Sequence, residues 1–230
     1  MTAACEYDLV DGDVRSLNQK LHDLDEKSCA TPWRILNPMG AHAIACGLTV
    51  PVRVEIEGHA GYYCAGMNQR ADVRILGNCG VGVAENMMSG SVRVAGHASQ
   101  SAGASAHGGL LVIEGDASAR CGISMKGVDV VVSGSVGHMS AFMGQKGNLV
   151  VCGDAGEALG DSLYEARIFV RGKVASLGAD CIEKEMTDSD HADLRALLER
   201  AEVSHSPDSF RRYGSARKLY RFDVDHADQY

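Results

Sequence analysis

Aliphatic residues stand two apart in seven successive pairs along the middle of the chain, and the pairs recur every 19 residues. The first members are Val54, Val73, Val92, Leu111, Val130, Leu149 and Ile168; the second are Ile56, Ile75, Val94, Ile113, Val132, Val151 and Val170. Alternation of mostly β-branched residues is the period-two signature of a short strand with one buried face. Two residues after each pair comes a glycine, namely Gly58, Gly77, Gly96, Gly115, Gly134, Gly153 and Gly172. A fixed period of this kind is the mark of a repeat architecture in which each turn buries its face against the next.

Two further columns admit only small residues. Two positions after the glycine stand Ala60, Cys79, Ala98, Ala117, Val136, Ala155 and Val174; seven after it stand Ala65, Ala84, Gly103, Gly122, Ala141, Gly160 and Ala179. Corners of a coil wound around a narrow interior have no space for large side chains, and the glycine itself is expected to serve either positive φ or close backbone approach. Nineteen residues leave little room for the helix of a leucine-rich repeat, nineteen is not a multiple of six, and the Asp-rich frame of calcium-binding nonapeptide coils is missing. The expected fold is therefore all-β: a single-stranded, right-handed parallel β-helix of about seven 19-residue coils. With strands about 4.8 Å apart, it would span roughly 29 Å from Gly58 to Gly172. A degenerate earlier coil is suggested by Gly40 and Gly47, with Leu36 four residues upstream of Gly40.

A solenoid exposes strand edges at both ends and needs caps. Val14, Leu17, Leu21 and Leu24 are spaced as one helix face, with Asp13 as N-cap; Leu194, Leu197, Leu198 and Ala201 mark a second helix between Asp188 and Val203. The resulting division is residues 1–51 as cap and degenerate coil, 52–182 as β-helix, and 183–230 as helix and basic, aromatic tail. The outward column three residues before each glycine changes from Glu55, Arg74 and Arg93 to Val112, Val131, Val150 and Phe169. An apolar stripe of this kind requires a cover. Two covers are open: the chain's own C-terminal segment, or another subunit for which these four residues form the interface.

Composition narrows the chemistry. Aromatic residues make up 5% of the chain against 45% hydrophobic overall, which suits thin coils filled by Val, Ile, Leu and Ala. The formal net charge of −8 argues against broad nucleic-acid binding, and the first twenty residues show neither a signal peptide nor a membrane span, so the chain reads as cytoplasmic. A local exception in charge is Arg211, Arg212, Arg217 and Lys218, interleaved with aromatic residues; these form a strap on the rod itself, a contact to an acidic partner, or a single-strand-binding tail. Eight cysteines lack metal-ligand spacing. His59 and His97 share a column two coils apart, roughly 10 Å, too far to ligate one metal. Asp161 and Asp180 fall in one column on adjacent coils, where two carboxylates would share a proton in a β-helix lyase or hydrolase; the alternative is a pair of solvated surface acids.

Coils such as Val92-Arg93-Val94-Ala95-Gly96 and Val130-Val131-Val132-Ser133-Gly134 resemble the GXGXG β-helix domain that ends the large subunit of glutamate synthase. The segments Asn37-Pro38-Met39-Gly40-Ala41-His42 and Gly214-Ser215-Ala216-Arg217-Lys218-Leu219-Tyr220 are similar to the free-standing form of that domain, in particular the middle (B) subunit of N-methylglutamate synthase. A related β-helix subunit occurs in formylmethanofuran dehydrogenase. The resemblance implies a scaffold in a hetero-oligomer. A class II glutamine amidotransferase-like subunit and an FMN- and iron-sulfur-containing synthase subunit would do the chemistry, with no cofactor, metal or catalytic residue carried over to this chain.

Overall fold

The computed structural model describes residues 4–217. The strands are β1 (Cys5–Asp8), β2 (Trp33–Leu36), β3 (Arg53–Ile56), β4 (Asp72–Ile75), β5 (Ser91–Val94), β6 (Leu110–Ile113), β7 (Lys126–Val132), β8 (Lys146–Val151), β9 (Arg167–Val170), β10 (Cys181–Lys184) and β11 (Arg211–Ser215). Helix α1 is Val14–His22 and helix α2 is Asp188–Arg200. Strands β1 to β9 pair in parallel and in sequence order, so the described chain is a parallel β-solenoid.

Register follows the 19-residue period. Val54 lies opposite Val73, Val73 opposite Val92, and so on to Leu149 opposite Ile168. Both aliphatic columns point inward and are 0–1% exposed, and together they form the spine of one core. The small column two after the glycine is a second, one-residue-wide ladder: Ala60, Cys79, Ala98, Ala117, Val136, Ala155 and Val174 are joined by parallel bridges. The column seven after the glycine is small for a conformational reason, since Ala65, Ala84, Gly103, Gly122, Ala141 and Gly160 all hold φ between 54° and 69°. Burial adds to this, since Ala65, Ala84 and Ala141 are fully buried, whereas Tyr63 and Met67 hold the same φ with their side chains exposed.

Of the seven ladder glycines, positive φ explains only Gly58, at 137°. For the other six, Gly77, Gly96, Gly115, Gly134, Gly153 and Gly172, the second of the two expected reasons, close backbone approach, accounts for the glycine. On each of them a Cβ would come within 3.0 Å of the backbone of the preceding ladder glycine. On Gly77 it would stand 2.6 Å from Gly58 O, and on Gly153 it would stand 2.7 Å from Gly134 O. On Gly134 it would stand 2.7 Å from Gly115 O and would also overlap Asp116 Oδ1 on the preceding coil.

The early coil exists in a different register from that suggested by Gly40 and Leu36. Trp33 and Ile35 face inward opposite Val54 and Ile56, while Leu36 is only half-buried. Gly40 N–H donates to His59 O at 2.9 Å, as Ala60 N–H donates to Asn78 O, so Gly40 sits in the small column rather than at the ladder glycine. One extra residue lies between strand and corner, absorbed where Asn37 and Met39 take positive φ.

Both ends are closed. At one, Asp13 caps α1 through the Ser16 amide, and Leu17 and Leu21 plug the bore. On the same helix Asn18 donates to Ala43 O at 2.7 Å and accepts from Ala45 N–H at 2.9 Å, which satisfies backbone groups of the first coil. At the other end β11 inserts antiparallel between β9 and β10, and Tyr213 enters the core. Hence the segment carrying Arg211 and Arg212 docks on its own rod.

Candidate functional site

The apolar stripe is covered by the chain itself. Val112, Val131, Val150 and Phe169 are 0–2% exposed beneath α2, in contact with Leu194, Leu197, Leu198, Ala201 and Phe210. They therefore form an internal packing layer, and the assignment of these four as an outward interface is corrected. Geometry explains the fit. A 13-residue helix is about 20 Å long, and the four steps from β5 to β9 measure about 19 Å. Ion pairs flank the apolar strip: Arg167 Nη1 lies 2.8 Å from Asp193 and 3.2 Å from Asp190, and Arg200 Nη1 lies 3.0 Å from Asp129. Arg93 donates to Ala201 O at 3.0 Å just beyond the helix.

Asp190 fastens the other end of this helix. It completes a capping box with Thr187, accepting from the Thr187 amide at 3.0 Å and hydroxyl at 2.7 Å. Burial pushes its carboxyl up. The two Thr187 bonds and the guanidinium groups of Arg212 and Arg167 outweigh burial and hold it below the ordinary aspartate range. Arg212 Nε lies 3.3 Å from Asp190 Oδ1 without the alignment of a hydrogen bond.

The acid pair does not assemble. Asp161 Oδ1 accepts from the Ser162 hydroxyl at 2.7 Å and Oδ2 from the Ala179 amide at 3.2 Å, whereas Asp180 is bound by Arg217 through Nε at 2.8 Å and through Nη2. Asp161 thus ties the last coil together, and Asp180 anchors the outgoing chain. The last coil is one residue short, Leu159 pairing with Leu177, so Asp161 lies level with Ala179 rather than Asp180, and the alternative of a shared proton gives way to separate partners. Arg211 is likewise engaged, donating to Gly172 O at 2.8 Å. Lys218 lies outside the described residues.

The polar column just after the ladder glycine does structural work that its residue types signalled only as polarity. His59 Nδ1, Asn78 Oδ1, His97 Nδ1, Asp116 Oδ1, Ser135 Oγ and Asp154 Oδ1 each accept the backbone N–H of the equivalent residue one coil on, at 2.7–3.0 Å. The signal was available: each of these six side chains offers a hydrogen-bond acceptor. His59 and His97 are therefore rungs, with Nδ1 unprotonated. Among the described residues no cluster of His, Cys, Asp and Glu is arranged to hold a metal ion.

Cys64, Cys121, Cys152 and Cys181 are poor nucleophiles. Burial raises Cys121 to about 12 and Cys152 and Cys181 to about 11; the neighbouring Cys79 thiol and burial raise Cys64 well above its ordinary value. A thiol far above neutral pKa supplies little thiolate.

One outer face stays open. Beyond the end of α2 the sheet continues from β6 back to β2 under a groove of about 560 Å³. Arg34, Arg53, Arg74, Arg93 and Arg200 line it, interspersed with Glu55, Asp72 and Glu202. Arg34 pairs with Glu57 and Glu6, Arg93 with Glu114 and Glu202, and Arg200 with Asp129. Arg53 and Arg74 are exposed and, among the described residues, have no carboxylate oxygen within 4.0 Å. This groove was not legible in the sequence, where Glu55, Arg74 and Arg93 marked only the charged part of the outward column.

Among the described residues no helix is long and apolar enough to cross a membrane. No family model matches the chain, and no solved structure does. Among curated proteins it is similar to Protein GlxC of Rhizobium meliloti (strain 1021), with 58% identity over 224 residues, covering 97% of this chain and 98% of that one. Identity at this level over nearly the whole of both chains places the protein in the GlxC family.

Proposed function

We propose that this chain is a non-catalytic scaffold subunit of a glutamate synthase-like complex, of the N-methylglutamate synthase type. It holds a class II glutamine amidotransferase-like subunit and an FMN- and iron-sulfur-containing synthase subunit at a fixed separation. The observation that supports this reading is the rod itself: nine parallel strands in unbroken order, a bore filled with aliphatic side chains, and both ends closed by the chain's own segments. A body of that kind resists bending, and fixed placement of reacting centres contributes strongly to rate even where the scaffold touches no substrate. The residues that sequence offered for chemistry in this chain, Asp161 and Asp180, are occupied in holding coils and tail. In this reading flavin and cluster belong to the partner.

Purification of the tagged chain from its native cell tests the proposal. The expected result is a stable hetero-oligomer containing an amidotransferase subunit and a flavin-bearing subunit, with glutamine-dependent activity only in the assembly. A chain that purifies alone and turns over a substrate by itself would overturn it. Recovery with a formylmethanofuran dehydrogenase would replace the parent complex while retaining the scaffold role.

A further inference from the structure

The end of the rod breaks the pattern by which every earlier strand is held. Continuing the 19-residue step from Ile168, Val170 and Gly172 leads to Thr187, Ser189 and His191, so the aliphatic pair and the glycine of another ladder strand are missing. The edge of β9 is taken instead by β11, which lies antiparallel with Arg212 opposite Phe169 and Tyr213 opposite Ile168. Strand β10 pairs with β11 and with no other strand, and of its four residues only Cys181 is buried. Backbone pairing of β10 to the rod therefore runs through a strand that comes later in the chain.

Helix α2 is suspended between these two strands. Residues 185–187 join its first turn to β10, and residues 201–210 join its last turn to β11. Side chains strengthen the connection. Phe210 and Arg212 turn toward the helix: Phe210 is 4% exposed in the layer with Leu194, Leu197 and Leu198, and Arg212 Nε lies 3.3 Å from Asp190 Oδ1 at the capping box. Tyr213 turns the other way, into the bore. One short strand thus grips the inner core, the edge of β9 and the helix together. The rival arrangement is a helix fixed to the rod on its own, through Arg167, Asp129 and the apolar stripe, and indifferent to β11.

We infer that β10, α2 and β11 form one lid over the second half of the rod, latched by β11, and that it opens and closes as a unit. Segments that share backbone pairing and buried contacts open in cooperative blocks with a common free energy. Opening uncovers Val112, Val131, Val150, Cys152 and Phe169 together, while β2 to β8, each paired along both edges with rod strands, stay in place. Closed, the lid keeps that apolar surface from associating in water. It is a property of this chain alone and holds whichever complex the chain joins.

Native thiols supply the probes. Cys152 lies in the layer under α2, Cys181 on β10 and Cys121 in the bore, and all three are buried. Iodoacetamide labelling of the folded full-length chain, followed by peptide mass mapping, reads the opening at each. Every variant is read at the thiol on the far side of the lid: Tyr213→Ala, whose side chain lies in the bore, at Cys152, and Leu197→Ala, on α2, at Cys181. Each should raise labelling there by about tenfold or more and leave Cys121 within about twofold. In the unsubstituted chain the slowest amides of α2 and β11 should exchange with one opening constant, within about twofold, which decides the matter even where a variant fails to fold. Acceleration confined to the substituted side, or separate constants for α2 and β11, would mean that helix and strand open independently and would overturn the lid. Equal acceleration at Cys121 would overturn it too, since the stripe would then be uncovered only by unfolding of the whole rod.

Discussion

Replacing Gly134 with alanine tests how the coils are held at their spacing. Gly134 has no positive φ, so alanine fits its backbone and by the unfolded-state argument would stabilise the chain by about 0.4–1 kcal/mol. The structure predicts the opposite sign. The added Cβ would stand 2.7 Å from Gly115 O and 2.9 Å from Gly115 C and would overlap Asp116 Oδ1, which accepts the Ser135 amide at 2.8 Å. Overpacking costs about 1–3 kcal/mol, and a lost ladder bond about 0.5–1.5 kcal/mol. The net expectation is a loss of about 0.5–4 kcal/mol after the entropic gain is subtracted.

Urea titration followed by far-UV circular dichroism measures the loss, and amide exchange at Ser135 and Gly134 locates it, since solenoids can open from one end before they unfold. The decisive variant is the double replacement. Asp116→Ala alone removes a rung; combined with Gly134→Ala it also removes the closest obstacle, so the two costs should fall short of their sum by about 1 kcal/mol. Gly58→Ala is the contrast, because its cost comes from a φ of 137° and no neighbouring truncation should relieve it. A stable Gly134→Ala protein, or strict additivity with Asp116→Ala, would refute close approach as the reason for these glycines.

Two further outcomes concern α2. Val131→Asp places an unpaired carboxylate beneath the helix, at a cost of about 3 kcal/mol or more; the rod should keep its strand spectrum while Arg195 and Arg200 become trypsin-sensitive, and unchanged protease resistance would contradict the packing. Because the Asp190 carboxyl is held below its ordinary range, its contribution is fully present above the unfolded value, near about 3.9, and is lost as pH falls through the lower folded value. Trypsin is inactive there, so amide exchange of α2 between pH 5 and pH 2 is the measurement, roughly the interval over which such a carboxylate loses its charge. Asp190→Asn should abolish the acid-dependent part, and an equal pH response in that variant would assign it elsewhere.

How much of this could be read from the sequence depended on whether a residue's partner follows the period. Val54 to Val170 repeat at a constant offset, so their burial and pairing are fixed by arithmetic alone. The same holds for α1, whose apolar spacing and Asp13 cap are local signals. The ladder glycines were legible as a column but not by cause: Gly77 and Gly153 look like Gly58 in sequence, and only the distance to the coil before separates crowding from left-handed backbone. Trp33 and Ile35 escaped because a single inserted residue moves Gly40 out of the glycine column, and only cross-coil hydrogen bonds reveal the shift. Asp161 and Asp180 share a column only by counting: the last coil is one residue short, Leu159 meeting Leu177, so Asp161 takes the Ala179 amide while Arg217 reaches Asp180 from 37 positions away. The cover over Val131 and Val150 was legible only as a need for one, since nothing in a periodic pattern says which amphipathic segment will meet it.

The outer face is divided between a covered and an open half. A solenoid's period makes every coil alike inside, so any difference between its neighbours must be written in outward columns. Here the change from Glu55, Arg74 and Arg93 to Val112, Val131, Val150 and Phe169 falls at the end of α2, where Arg93 receives the last turn through Ala201 O. Apolar residues mark the half whose cover is part of the same chain and need never be exposed. Charged residues mark the half that α2 leaves open to water, because arginine tolerates solvent while a bare valine stripe invites aggregation. Exchanging Arg74 for valine should therefore raise self-association of the free chain, read by sedimentation velocity, and an unchanged monomer would contradict the argument.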